Sequence, residues 1–170
     1  YEAQTLIGQT IRDTKVDELN MFEFRNCTHN HIAYNDVTDV ETDTQDGGAI
    51  YTWGAGMYNL VENNHVHDVD FPNVGGHSIG YPIYGDDSSG YTIYNKNIVD
   101  NNQHYGDGTM LAAMITKSVG HTITNNFLLN NPAAAKGAYS TETKNSDPHN
   151  NITYVNNLTM NSSDNLHGQW

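Results

Sequence analysis

The sequence predicts an all-β chain wound as a right-handed parallel β-helix of about five to six turns, on three observations. A short phrase of apolar residues set around an Asn recurs roughly every thirty residues, the mark of a repeat architecture. Within each copy apolar and polar residues alternate, which is the period of a strand, and no stretch holds a helical period. Asn recurs at matched positions, where side-chain amides can stack and the left-handed bend between strands is tolerated.

The copies run Ile32-Ala-Tyr-Asn35-Asp-Val37-Thr-Asp39, Val61 to Asp68, Ile93 to Asp100, Ile123 to Asn130 and Tyr154 to Asn161. Their fourth positions, 35, 64, 96, 126 and 157, lie 29, 32, 30 and 31 residues apart. The last copy is the weakest, with Thr159 where an apolar residue belongs, and a fainter first copy stands at Leu6 to Asp13. Between copies, Ala49-Ile-Tyr51-Thr52, Pro82-Ile-Tyr84-Gly85, Ala113-Met-Ile115-Thr116 and Ala138-Tyr-Ser140-Thr141 align as a further column of strands. That alignment sets Tyr51 beside Tyr84. Gly85 to Gly90 and Asn145 to Asn150 read as turns. Met110–Ile115 and Ala133–Lys136 are too short to hold as helices alone. Six turns stacked at a strand spacing of about 4.8 Å span roughly 29 Å, with strand edges at both ends.

The 170 residues suit one domain, 1–170, or an excerpt of a longer chain that starts at Tyr1 and stops at Trp170. The formal net charge is −13, from 20 acids against 7 bases. Nucleic acid and anionic membrane need clustered Lys and Arg, so neither is an expected partner. A polyanionic sugar is disfavoured on the same ground, whereas a neutral polysaccharide or oligosaccharide is compatible. The single cysteine, Cys27, excludes an internal disulfide. No apolar run approaches the roughly 20 residues of a membrane-spanning helix. Sequons begin at Asn26, Asn151, Asn157 and Asn161, in keeping with a secreted chain, extracellular or periplasmic.

The candidate chemistry sits between Asp46 and Asn102. Asp46 precedes one Ile-Tyr strand, and Asp86 and Asp87 follow the next. Hydrolysis of a glycosidic bond needs two carboxyl groups, about 5–5.5 Å apart for retention or about 6.5–9.5 Å for inversion. Acids on neighbouring turns can meet either condition, and a like charge nearby raises the pKa of the one that must donate. The plainer reading is turn chemistry, since Asp before Gly-Gly and Asp-Asp-Ser-Ser-Gly are ordinary turn sequences. An Asp-rich face can also hold a structural Ca²⁺, although the dense Asp/Gly period of calcium β-rolls is missing.

The segments Asp46-Gly-Gly-Ala-Ile-Tyr-Thr-Trp-Gly54, Asn64-His-Val-His-Asp68, Gly76-His-Ser-Ile and Ile83-Tyr-Gly-Asp-Asp-Ser-Ser-Gly90 resemble the central region of carbohydrate-active right-handed β-helix proteins. The family they resemble is glycoside hydrolase family 141, which includes fucosidase and xylanase activities. The resemblance implies Asp46 and Asp87 as the catalytic pair, with Asp86 as the rival for the second role. It covers residues 46–102 most clearly. Ile79-Gly-Tyr-Pro82 departs from the pattern as extra length, and the family's enzymes are much longer than this chain.

Around these acids, Tyr51, Trp53, Tyr81, Tyr84 and Tyr105 can stack on sugar faces, or serve as core residues. His65 and His67 alternate, so both project to one side of a strand; with His77 and Asp68 they can make a metal site or position substrate, and substrate contact is the role expected of His65, His67 and His77. No zinc-protein spacing is present, so no metal or other cofactor is expected beyond the structural calcium. Asp107 and Glu142 fall in corresponding loops of later turns.

The expected function is therefore an extracellular glycoside hydrolase. Two rivals stand beside it. A polysaccharide lyase needs a Lys, Arg or Tyr base near the acids, and no basic residue lies between Glu41 and Ile93. A structural or adhesive β-helix, associating end to end into a fibre, would leave the acids as solvated turn residues.

Overall fold

The computed structural model describes residues 27–43, 46–71, 80–86, 89–104, 112–117, 119–131, 136–138 and 151–160. Regular structure among them is all strand, and every strand pairing is parallel. In chain order the strands are β1 (His31–Ala33), β2 (Asp36–Val37) and β3 (Gly47–Thr52), then β4 (Leu60–Glu62), β5 (His65–His67), β6 (Asp70–Phe71) and β7 (Gly80–Gly85). They continue as β8 (Ile93–Asn95), β9 (Ile98–Asp100), β10 (Gln103–His104) and β11 (Met114–Lys117), then β12 (Thr122–Thr124), β13 (Phe127–Leu129) and β14 (Lys136–Ala138), and finally β15 (Thr153–Val155) and β16 (Leu158–Met160).

The first sheet runs β1-β4-β8-β12-β15, the second β2-β5-β9-β13-β16, and the third β3-β7-β11-β14, with β6 and β10 forming a small fourth pair. The five strands of the first sheet match the five copies of the repeat. The faint copy at Leu6 to Asp13 lies outside the described residues, as do His77, Asp87, Tyr105, Asp107 and Glu142.

Three evenly spaced bends recur in four successive repeats among the described residues. Left-handed residues fall at His29, Tyr34 and Asp39, at Tyr58, Asn63 and Asp68, at Tyr91, Lys96 and Asn101, and at Gly120, Asn125 and Asn130. Within every set the spacing is five residues. Asn and Asp tolerate this backbone and Gly adopts it freely, whereas Tyr and Lys are strained in it. A three-residue strand, a bend and an inward polar residue therefore make one side of the repeat.

Behind the middle bend stands an amide ladder, Asn35–Asn64–Asn97–Asn126–Asn157. Each link is an Nδ2–H donating to the next Oδ1 at 2.9–3.0 Å. Every Oδ1 also accepts the backbone N–H of the preceding Asn, and the Nδ2 groups of Asn64, Asn97, Asn126 and Asn157 donate to the carbonyls of Ile32, Val61, Tyr94 and Ile123. Buried polar groups need such partners, and here they are supplied one repeat away. At the last rung, Asn157 of the sequon accepts on its Oδ1 and donates from its Nδ2 to the Ile123 carbonyl.

The ladder corrects the third copy of the repeat. Its Asn is Asn97, not position 96, and the ladder steps are 29, 33, 29 and 31 residues. Tyr94 pairs with Val61, and Val99 with Val66. Tyr94 and Val99 are buried while Ile93 and Ile98 are exposed, so the whole copy is shifted by one residue. An aromatic ring fills the core where the more hydrophobic Ile was expected. The third sheet follows the sequence alignment through Tyr51, Tyr84 and Ile115, but β14 enters with Lys136 opposite Ile115 and Ala138 opposite Lys117. The expected match of Ala138 with Ala113 is thus displaced by four residues.

The core is a narrow seam. Val61, Tyr94 and Ile123 come from the first sheet, Val66, Val99 and Leu128 from the second, and Ile50, Ile83 and Met114 from the third. A Cβ at Gly85 would collide with the Tyr94 hydroxyl, so the third sheet keeps a glycine where that ring reaches across.

Candidate functional site

Strand alternation turns Ile50, Ile83 and Met114 to the core, and it turns Tyr51, Tyr84 and Ile115 to the opposite face of the third sheet. Asp86 directly follows Gly85, the register partner of both Thr52 and Thr116. It therefore lies between Trp53 on one side and Lys117 on the other. Its backbone N–H donates to the Thr52 carbonyl at 2.8 Å, and its own carbonyl accepts from the Ser89 N–H at 3.1 Å. The Ser89 hydroxyl donates to the same Thr52 carbonyl at 2.9 Å.

The Asp86 carboxylate is 5% exposed as a residue and accepts on both oxygens. Tyr51 donates its hydroxyl to Oδ2 at 2.6 Å, and Lys117 donates its ammonium to Oδ1 at 2.6 Å. The Lys117 Nζ also stands 5.2 Å from the centre of the Tyr84 ring, a cation–π contact. Tyr84 is flanked by Tyr51 and Tyr81, with ring centres 5.0 and 4.9 Å away. Tyr81 and Tyr84 are buried, whereas Tyr51 and Trp53 are exposed. The result is a buried acid beside a row of three tyrosine rings, of which Tyr51 is open to solvent.

Asp46 sits at the start of β3, exposed and in the left-handed region. A Cβ on Gly48 would meet the Tyr81 carbonyl at 2.8 Å and the Tyr84 Cβ at 3.0 Å, so β3 and β7 bend sharply around one another here. Acids from the two ends of this strand pair consequently act on the same phenols. Burial pushes the Tyr84 hydroxyl far up from its ordinary value, helped by a hydrogen bond to Asp86 and by the fields of Asp86 and Asp46. Burial does the same to Tyr81, with Asp46 and then Asp86 adding to it. Both phenols stay protonated at any physiological pH. They can donate hydrogen bonds but cannot act as free phenolates.

Of the residues that the sequence grouped, Tyr51 and Tyr84 lie in the third sheet, and Asp46, Trp53 and Asp86 directly flank its strands β3 and β7. That grouping missed Lys117, which lies 31 residues after Asp86 and so one repeat along. The repeat length applied to Asp86 finds it. The absence of basic residues between Glu41 and Ile93 is true of the sequence but not of the space around Asp86.

His65 and His67 do not join this group. They stand on β5 in the second sheet, with rings stacked at 4.2 Å. Asp36 of β2 is the register partner of His65, and its Oδ1 lies 2.9 Å from His67 Nε2 and 3.4 Å from His65 Nδ1. On the other side of the ring, His67 Nδ1 and Asp68 Oδ2 are 2.7 Å apart. The Asp68 carboxylate holds His67 above its ordinary pKa, assisted by Asp36, and His67 with Asn101 holds Asp68 below its own.

Compared with protein-family models, with curated proteins and with solved structures, the chain matches none.

Proposed function

We propose that the parallel sheets are the walls of a right-handed β-helix, and that the chain is a carbohydrate-active enzyme hydrolysing glycosidic bonds of a neutral extracellular polysaccharide. The observation that carries this reading is the Asp86 carboxylate, held by Tyr51 and Lys117 beside the exposed ring of Tyr51, with Trp53 exposed at the end of the same strand. Aromatic faces pack on the C–H surfaces of sugars, and a fixed carboxylate at their edge supplies one of the two carboxyl groups that cleavage at the anomeric carbon needs.

In this mechanism Asp86, with donors on both oxygens, serves as base or nucleophile and not as the proton donor. The acid is then Asp46 or Asp87, of which the resemblance noted above favours both as catalytic. Tyr51 and Lys117 orient Asp86 and stabilise its charge in the closed site. The test is reducing-sugar release from a panel of neutral polysaccharides by the chain and by Asp46→Asn, Asp86→Asn and Asp87→Asn variants. Loss of release in Asp86→Asn with an intact fold supports the assignment. Unchanged release in all three variants removes it.

A second reading draws on Lys117. A lyase removes the proton beside a sugar carboxylate with a basic side chain, and Lys117 and Tyr51 stand at hydrogen-bond distance from Asp86. The charge of −13 opposes a polyanionic substrate. Products with new ultraviolet absorbance would select this reading over hydrolysis.

A further inference from the structure

The second sheet carries a cluster that the carbohydrate reading leaves unused. His65 and His67 project from the same side of β5, and Asp36 reaches them from the neighbouring β2. One ligand atom from each of the three falls within 4.8 Å of the others. Ligands bound at about 2.0–2.1 Å around one ion stand roughly 3–3.5 Å from each other, so only small side-chain rotations separate this arrangement from a coordinating one. We propose that Asp36, His65 and His67 bind a divalent first-row transition metal ion, with Asp68 as the residue that orients His67.

The donor set selects the class of ion. Two imidazoles and one carboxylate suit Zn²⁺ and its first-row neighbours, whereas Ca²⁺ and Mg²⁺ take oxygen ligands almost exclusively. Orientation is already in place. Asp68 meets His67 at Nδ1, and Asn101 donates to the other oxygen of Asp68. A carboxylate on one imidazole nitrogen fixes the tautomer whose other nitrogen carries the lone pair. In His67 that nitrogen is Nε2, the atom that faces Asp36. Stacking between the two rings leaves little freedom for His65 to turn away. The side chains of Asp36 and His65 are 75% and 42% exposed, so the ion would keep open positions toward solvent.

The test uses the 170-residue chain stripped with EDTA and titrated with ZnCl₂ by calorimetry, with MgCl₂ and CaCl₂ as controls. One Zn²⁺ is expected per chain, at micromolar affinity or tighter, with neither control ion taken up. His65→Gln/His67→Gln should abolish uptake, Asp36→Asn should weaken it, and Asp68→Asn should weaken it about 10–100-fold without changing the stoichiometry. Melting curves in EDTA establish that each variant folds. For a variant that does not, the intensity of the visible Co²⁺ spectrum of the unaltered chain reports a mixed nitrogen–oxygen site of low coordination number. The chain holds nine histidines, so the location matters as much as the uptake. Zn²⁺ binding that survives the double His variant, or no stoichiometric uptake at all, overturns the proposal.

Discussion

The Tyr51 hydroxyl donates to Asp86 Oδ2 at 2.6 Å, from a ring that is itself 41% exposed. One side chain thus offers a face to solvent and a proton to a buried carboxylate. Tyr51→Phe keeps the face and removes the donor. Sugar release should fall about 100-fold, the scale of losing one preorganised donor. Unfolding by urea should shift by only about 1 kcal/mol.

Lys117 and Asp86 are both largely buried, and breaking such a pair costs more than the pair is worth. Lys117→Met leaves the carboxylate without its ammonium and should destabilise the chain by about 3–5 kcal/mol. Asp86→Asn combined with Lys117→Met should recover most of that loss. Urea denaturation of the two single variants and the double variant measures the coupling. Additive effects would contradict the pairing.

His121 is fully buried, and desolvation lowers its pKa to about 4 despite its backbone hydrogen bonds. Its Nδ1 accepts from the Thr92 N–H at 3.3 Å, and its Nε2 donates to the Lys117 carbonyl at 2.7 Å. Because the folded value lies below the unfolded one, about 6.5, the unfolded chain binds the extra proton first. Stability should therefore be complete above about pH 6.5, fall as pH drops toward about 4, and level off below that. The full loss is on the order of 3 kcal/mol. His121 occupies the position that Asn59 holds two repeats earlier, where Asn59 Oδ1 accepts the Asn30 N–H at 2.9 Å. His121→Asn should fold and should flatten this part of the stability–pH curve.

Asn97 is fully buried at the centre of the amide ladder. Asn97→Ala would strand the Asn64 N–H and take the amide donor from the Val61 carbonyl, while the Asn126 Oδ1 keeps only the backbone N–H of residue 97. Each orphaned buried group costs about 1–3 kcal/mol, so the variant should be among the least stable single substitutions. Asn157→Ala, at the last rung, should cost clearly less. Thermal melts of the two variants compare them directly.

Much of the architecture was legible because period-two alternation and recurring Asn report backbone geometry directly. Strand type, parallel stacking and the Tyr51–Tyr84 pairing follow from them. What misled was equating the more hydrophobic residue with the inward one. Ile93 and Ile98 lie beside Tyr94 and Val99, and only packing volume decides which of each pair fills the seam. The entry of β14 was illegible for a related reason, since neither Lys136 nor Ala138 marks an inward position. At the site, the acids and rings were visible locally, but Lys117 and Asp36 reach their partners only through the repeat. Lys117 lies 31 residues after Asp86, and Asp36 is 29 before His65. A long-range contact of this kind has no local sequence mark, though a correct period predicts it.

The invariant spacing of the three bends divides the chain into a fixed part and a variable one. From Asp39 to Tyr58, Asp68 to Tyr91, Asn101 to Gly120 and Asn130 to Asn151 the intervals are 19, 23, 19 and 21 residues, and every difference in repeat length falls there. Those intervals carry Asp46, Asp86 and Lys117. Insertions and deletions can therefore accumulate around the acids while the amide-laddered wall keeps its geometry, so specificity is free to drift on a chassis that does not.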